Sequence, residues 1–220
     1  MNSRSFLRLS GVVAFCATVV SCGPEPEPET KFQPLEVVQP RPDIYADFTL
    51  TADLSELTDN QRQMIALLID ASQIMDDLYW RQSFGDDHES WLESIADADT
   101  RRFAELNYGP WDRLDADKPF MQGVGAKPPG ANFYPADMSK EEFEEAYLPG
   151  KNGLYSLIRR DQDGGLKLIP YHVAYADELK AAADILRQAA KLAVSTDFAS
   201  YLKLRAAALI SDEYQVSDMF

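Results

Sequence analysis

Cysteine and histidine are both scarce in this chain. Its 220 residues contain two of each: Cys16 and Cys22, His88 and His172. Both cysteines fall within the first 22 residues, so the remainder can form neither a disulfide nor a thiolate metal site. Basic residues are also few, with 21 Lys and Arg against 36 Asp and Glu, for a formal charge of −15. That balance excludes a nucleic-acid binder, which needs clustered cations against phosphate. It also excludes a domain lying flat on anionic lipid, and it reads most simply as a solubility device. No apolar run approaches the roughly 20 residues needed to span a bilayer. There is no Gly-rich Lys loop for phosphate and no Gly-x-Ser-x-Gly elbow. Gly123-Val-Gly125 is not a dinucleotide motif, because Pro128 stands where the third glycine belongs.

The N-terminus carries an address. Arg4 and Arg8 precede a short apolar run, Leu9–Val20, so residues 1–21 read as a secretory signal. Val19-Val20-Ser21-Cys22 has the pattern of a bacterial lipobox, which predicts lipid on Cys22 and the membrane as a partner. Losing Arg4 and Arg8 takes the formal charge to −17. Gly23 rather than Asp after the cysteine favours the outer membrane, facing the periplasm. Gly23–Pro42 holds six prolines, including Pro24-Glu-Pro-Glu-Pro-Glu29. Such a segment favours polyproline II and reaches about 60 Å over twenty residues. Residues 22–50 are therefore expected to be a tether, and 51–220 one folded lobe.

The lobe reads as mainly α, an α+β fold with one hairpin. Thr58 and Gln61 form a capping-box pair, and Met64, Leu67, Leu68, Ala71, Ile74, Met75 and Leu78 follow at helical spacing. Shorter helices are predicted near Asp87–Ala96 and Asp99–Leu106, and Ser139-Lys-Glu-Glu142 reads as a second capping box. Leu154–Arg160 and Leu166–Tyr171 flank a polar turn and predict a hairpin. Asp161-Gln-Asp-Gly in that turn lacks the later ligands of a calcium loop. Leu179, Ala182, Ala183, Leu186, Ala189, Ala190 and Ala193 make a small-residue stripe, and Asp197 is placed as the cap of the last helix. Ser217 or Asp218 could cap a further helix, so the chain reads as cut short, with the stripe left exposed and prone to aggregation.

Between these helices runs a long segment, Asn107–Met138, with little regular pattern but five large aromatics. Its Pro and Gly residues punctuate it into turns, and its aromatics argue against disorder. Trp111, Asn132 and Tyr134 are candidates for the wall of a peptide-binding cleft: Asn pairs with backbone amides, and Tyr and Trp offer flat apolar faces. The competing reading is that they staple the loop to the helices.

Asn107-Tyr-Gly-Pro-Trp-Asp-Arg113, followed by Gly130-Ala-Asn-Phe-Tyr-Pro-Ala-Asp137, resembles the N-terminal lobe of bacterial zinc hydrolases similar to dipeptidyl peptidase III. The flanks Leu57–Trp80 and Gly153-Leu-Tyr-Ser-Leu-Ile-Arg159 agree in character, so the likeness covers nearly all of the mature chain. It implies a two-lobed exopeptidase that removes dipeptides, with zinc and a Glu activating water. Zinc is thus expected in the full-length family, while this chain is expected to hold no cofactor, no catalytic residue and no metal. The family's helix carries His-Glu, a spacer and a second His. Here the residues four and five after His88 are Leu92 and Glu93, and His88 sits among acidic residues that look solvated. His172 reads as a capped or core histidine. The paired carboxylates Asp76-Asp77, Glu141-Glu142 and Glu144-Glu145 read as solvated faces. The resemblance implies a lobe inactive alone, with peptides or a C-terminal lobe as partners. A non-catalytic envelope lipoprotein that binds a partner or ligand is the alternative.

Overall fold

The computed structural model describes residues 36–220. The expected leader, Cys22 and the Pro-Glu repeat lie outside them. Among the described residues, no helix is long and apolar enough to cross a membrane.

The longest helix, α1 (Asp59–Ser83), begins as its sequence requires. The Gln61 amide donates to Thr58 Oγ1, and the Thr58 amide donates to Gln61 Oε1. This reciprocal box satisfies two first-turn donors that have no partner within the helix. Two short helices follow, α2 (His88–Ser94) and α3 (Ala98–Asn107), the second capped by Asp97. Next come β1 (Trp111–Asp112), β2 (Lys118–Pro119) and α4 (Lys140–Glu145). The main hairpin is β3 (Ser156–Arg160) with β4 (Leu166–Pro170), in a register pairing Ser156 with Pro170 and Arg160 with Leu166. Its turn is an Asx turn: Asp161 Oδ1 accepts from the amides of Asp163 and Gly165. The chain then forms α5 (Tyr171–Ala174), α6 (Ala176–Leu192), α7 (Thr196–Leu209) and α8 (Gln215–Asp218). Over the described residues the fold is mainly α, with two small antiparallel hairpins.

α6 is the hub of the larger core. It packs against both α1 and α7, and its small-residue stripe is what allows the approach. Ala182, Ala183, Ala189 and Ala190 are buried, together with Leu179 and Leu186. The stripe is therefore covered by α1 and α7, contrary to the expectation that it lies exposed. Met64 and Met75 fill around this core, as flexible thioethers do.

A second cluster gathers Ile95, Phe103, Ala104 and Phe120. Val38 and Tyr45 pack against it, and the Val38 amide donates to the Pro119 carbonyl. Arg41 pairs with Asp112, a fully buried carboxylate that also accepts from the Leu114 amide. Of residues 36–50, placed with the tether on composition, those from Val38 to Tyr45 are thus docked on the lobe by apolar contact and a half-buried charge pair, while Phe48 and Leu50 stay exposed.

Three cap assignments need correction. Ser195, not Asp197, caps α7 by accepting from the Phe198 amide. Ser139 caps α4, but the box is only half formed, because Glu142 turns to Arg160 instead of back to the cap amide. Ser217 starts no new helix; it is buried inside α8 and its hydroxyl donates to the Tyr214 carbonyl.

Ala183→Leu tests the hub. Three extra carbon atoms have no space against α1 and α7, so it is expected to cost about 1–3 kcal/mol in denaturant unfolding. Unchanged stability would contradict the close packing of α6.

Candidate functional site

The segment between α3 and α4 makes few ladder bonds of its own, so its polar backbone must find partners elsewhere. Asn132 supplies the main tie. Its amide donates to the Gln82 carbonyl at 2.9 Å and its Nδ2 to the Arg81 carbonyl at 2.8 Å. These are last-turn carbonyls of α1, which the helix itself cannot satisfy. The adjoining Phe133 carbonyl accepts from the Ile158 amide at 3.0 Å, joining the loop to β3. Arg159 reinforces this join, donating from Nη1 to Phe133 and Ile158 carbonyls and from Nη2 to the Asn132 carbonyl.

The result is a cleft of about 340 Å³. Ser83 and Phe84 come from the end of α1, Trp111 from β1, Asn132 and Tyr134 from the loop, and Arg159 and Arg160 from β3. That volume lies near the lower end of small-ligand pockets. All three candidates read from the sequence, Trp111, Asn132 and Tyr134, line it. Two of them are also staples: Trp111 Nε1 donates to the Gly125 carbonyl at 2.9 Å, and Asn132 holds α1 as described. The tie runs to a remote helix rather than to local backbone. Phe84 completes the apolar side, its ring 6.2 Å from Trp111 and 4.3 Å from Trp91.

The two arginines differ. Arg160 is held by Glu142 and Asp137 at 2.7 and 2.9 Å. The hydrogen bond from Arg160 keeps the Glu142 carboxyl below its ordinary pKa, and the same bond raises that of Arg160. Among the described residues no carboxylate lies within 4.0 Å of Arg159. Phe84, Ser83 and Arg159 were not singled out from the sequence, although Arg159 closes one of the quoted flanks.

His88 is not solvated as its acidic neighbours suggest. It is buried, stacked on Trp80 with centroids 5.2 Å apart. Nδ1 lies 3.2 Å from the Gly85 carbonyl and Nε2 3.4 Å from Asp77. Asp77, His88 and Glu89 come close enough to share an ion. However, Arg81 already holds the other Asp77 oxygen at 2.7 Å, placing a fixed cation where a metal charge would be repelled. This donor set does not fit zinc, and no step is built on it. Asp77 and Glu142 are accordingly ion-paired rather than merely solvated. His172 is capped: its amide and Nδ1 both face the Asp212 carboxylate, the ring contact being 2.7 Å.

No protein-family model matches the chain. Among curated proteins, it is 27% identical over an alignment of 236 positions to the Arabidopsis thaliana protein named Nudix hydrolase 3, covering 80% of this chain and 31% of that protein. Among solved structures, it is similar to dipeptidyl peptidase III from Caldithrix abyssi, with 37% identity, a TM-score of 0.70, and coverage of 76% of this chain and 34% of that one. It is also similar to dipeptidyl-peptidase III from Corallococcus sp. strain EGB, with 31% identity, a TM-score of 0.72, and coverage of 80% and 35%. The chain spans about a third of the length of these relatives. Over that span its fold is dipeptidyl peptidase III-like, a peptidase-like lobe.

Gly130 tests the geometry of the cleft. It has φ +73°, and a Cβ there would sit 2.0 Å from the Tyr134 ring. Gly130→Ala is expected to lower stability by about 1–3 kcal/mol and to displace Tyr134. Gly125→Ala, whose added methyl meets nothing within 4 Å, should stay within about 0.5 kcal/mol of the parent. Equal unfolding midpoints for both variants would contradict the packing of Tyr134.

Proposed function

We propose that this chain is the N-terminal lobe of a lipid-anchored, dipeptidyl peptidase III-like zinc peptidase, providing one wall of the substrate cleft. The observation that carries the reading is the coincidence of the motif residues with a cavity. Trp111, Asn132 and Tyr134 lie within the stretches that prompted the resemblance, and all three line the same cleft in a lobe matching two dipeptidyl peptidase III structures. The lobe's part is positional. Phe84, Trp111 and Tyr134 present flat apolar surface to a peptide, and α1 and β3 hold the loop that carries them.

The chemistry would belong to residues these 220 do not contain. Zinc catalysis needs about three protein ligands and an open position for water. His88 and His172 are each engaged by their own carboxylate neighbour, and no His-Glu helix with a second His exists here. These residues alone are therefore proposed to be inactive. Membrane attachment through Cys22, in the outer membrane and facing the periplasm, belongs to the same proposal and rests on the lipobox. An acidic, Pro-rich segment immediately after Cys22 suits a spacer between lipid and lobe.

The test has two parts. Mass spectrometry of the mature N-terminus should show acylated Cys22; an unmodified cysteine or cleavage elsewhere would sink the anchor. The dialysed mature protein should hold no stoichiometric zinc and release no dipeptide from a chromogenic substrate. Chelator-sensitive turnover would overturn the assignment of catalysis to other residues.

A further inference from the structure

We propose that Arg159 makes this cleft selective for ligands bearing a carboxylate. The inference rests on reading the cleft as a peptide wall and goes beyond it, to the group recognised. A guanidinium has five N–H donors in a fixed fork. In Arg159 both Nη1 hydrogens are engaged by the Phe133 and Ile158 carbonyls, at 3.1 and 2.9 Å. One Nη2 hydrogen is engaged by the Asn132 carbonyl at 2.9 Å. Nε–H and one Nη2–H remain, and among the described residues neither has an acceptor. Two donors left on one guanidinium can meet the two oxygens of a carboxylate.

The surroundings favour an anion as well. The chain carries 36 acidic residues, yet among the described residues no Asp or Glu lines this cleft. Arg160 beside it is neutralised by Asp137 and Glu142, so the charge of Arg159 is the one left for a ligand. Its three bonds to carbonyls fix the guanidinium plane, which lowers the ordering cost of binding. The apolar surface of Phe84, Trp111 and Tyr134 beside the guanidinium favours a charge-assisted bond over hydration. A carboxylate at the end of a short peptide and one on an acidic side chain share this chemistry.

Three peptides separate the possibilities on the full chain. Acetyl-Phe-Ala carries only a terminal carboxylate, acetyl-Phe-Glu-amide only a side-chain carboxylate, and acetyl-Phe-Ala-amide none. Binding is followed by NMR, with the Nε–H resonance of Arg159 assigned by its loss in Arg159→Lys. At least one carboxylate peptide should bind about tenfold or more tightly than the neutral one, weaken with salt, and shift that resonance. Whichever of the two binds more tightly identifies the source of the carboxylate. In Arg159→Lys, which keeps the charge but not the fork, the advantage should shrink about tenfold while the melting temperature reports whether the loop still holds. Equal affinity for all three peptides would overturn the role of Arg159 and leave the peptide wall standing. Carboxylate binding that leaves the Arg159 resonance unmoved would also overturn it. No binding by any peptide would remove both readings together.

Discussion

The architecture of the cleft depends on how the last carbonyls of α1 are satisfied. A helix ends with carbonyls it cannot pair, and a long irregular loop arrives with amides it cannot pair. Asn132 solves both problems, giving its backbone and side-chain amides to Gln82 and Arg81. With that point fixed, Phe133 can join β3 and pack on the larger core, and Tyr134 can stand over Gly130. Each consequence is local, but together they convert a chain segment without regular structure into a wall.

The second constraint is electrostatic. Asp112 is fully buried in a strongly acidic chain, where an unpaired carboxylate would be costly. Arg41 and the Leu114 amide take it up, so residues preceding α1 are drawn onto the smaller core. The worth of this pair is modest, because Arg41 keeps 41% of its side chain in solvent. Its larger effect is to hold the segment around Arg41 against the smaller core. The same economy of cations shapes the cleft. Arg160 is consumed by two acids, whereas Arg159 is held by carbonyls alone, which position it without cancelling its charge.

Legibility followed the range of the interactions. The capping box of α1, the β3–β4 hairpin and the α6 stripe are patterns within a few residues, and each appears where spacing puts it. Trp111, Asn132 and Tyr134 were readable because aromatics among Pro and Gly turns signal an ordered loop. Their convergence with Phe84 was not, since it depends on a bond from Asn132 to a helix fifty residues earlier. Glu142 misled because its partner, Arg160, lies across the chain. His88 misled for a related reason. Its neighbours in sequence are acidic, but the turn at Gly85 folds it back beneath Trp80. The β1–β2 hairpin has two residues in each strand, too few for an alternating pattern to register.

Amide hydrogen exchange at Asn132 and Ile158 tests the central claim most directly. These amides donate to Gln82 and Phe133, the bonds that attach the loop to α1 and β3. If the loop is built onto the core, both should be protected to nearly the level of the buried amides of α6, such as Ala183. Exchange of the Asn132 amide near the rate of an unstructured chain, while α6 stays protected, would contradict the account.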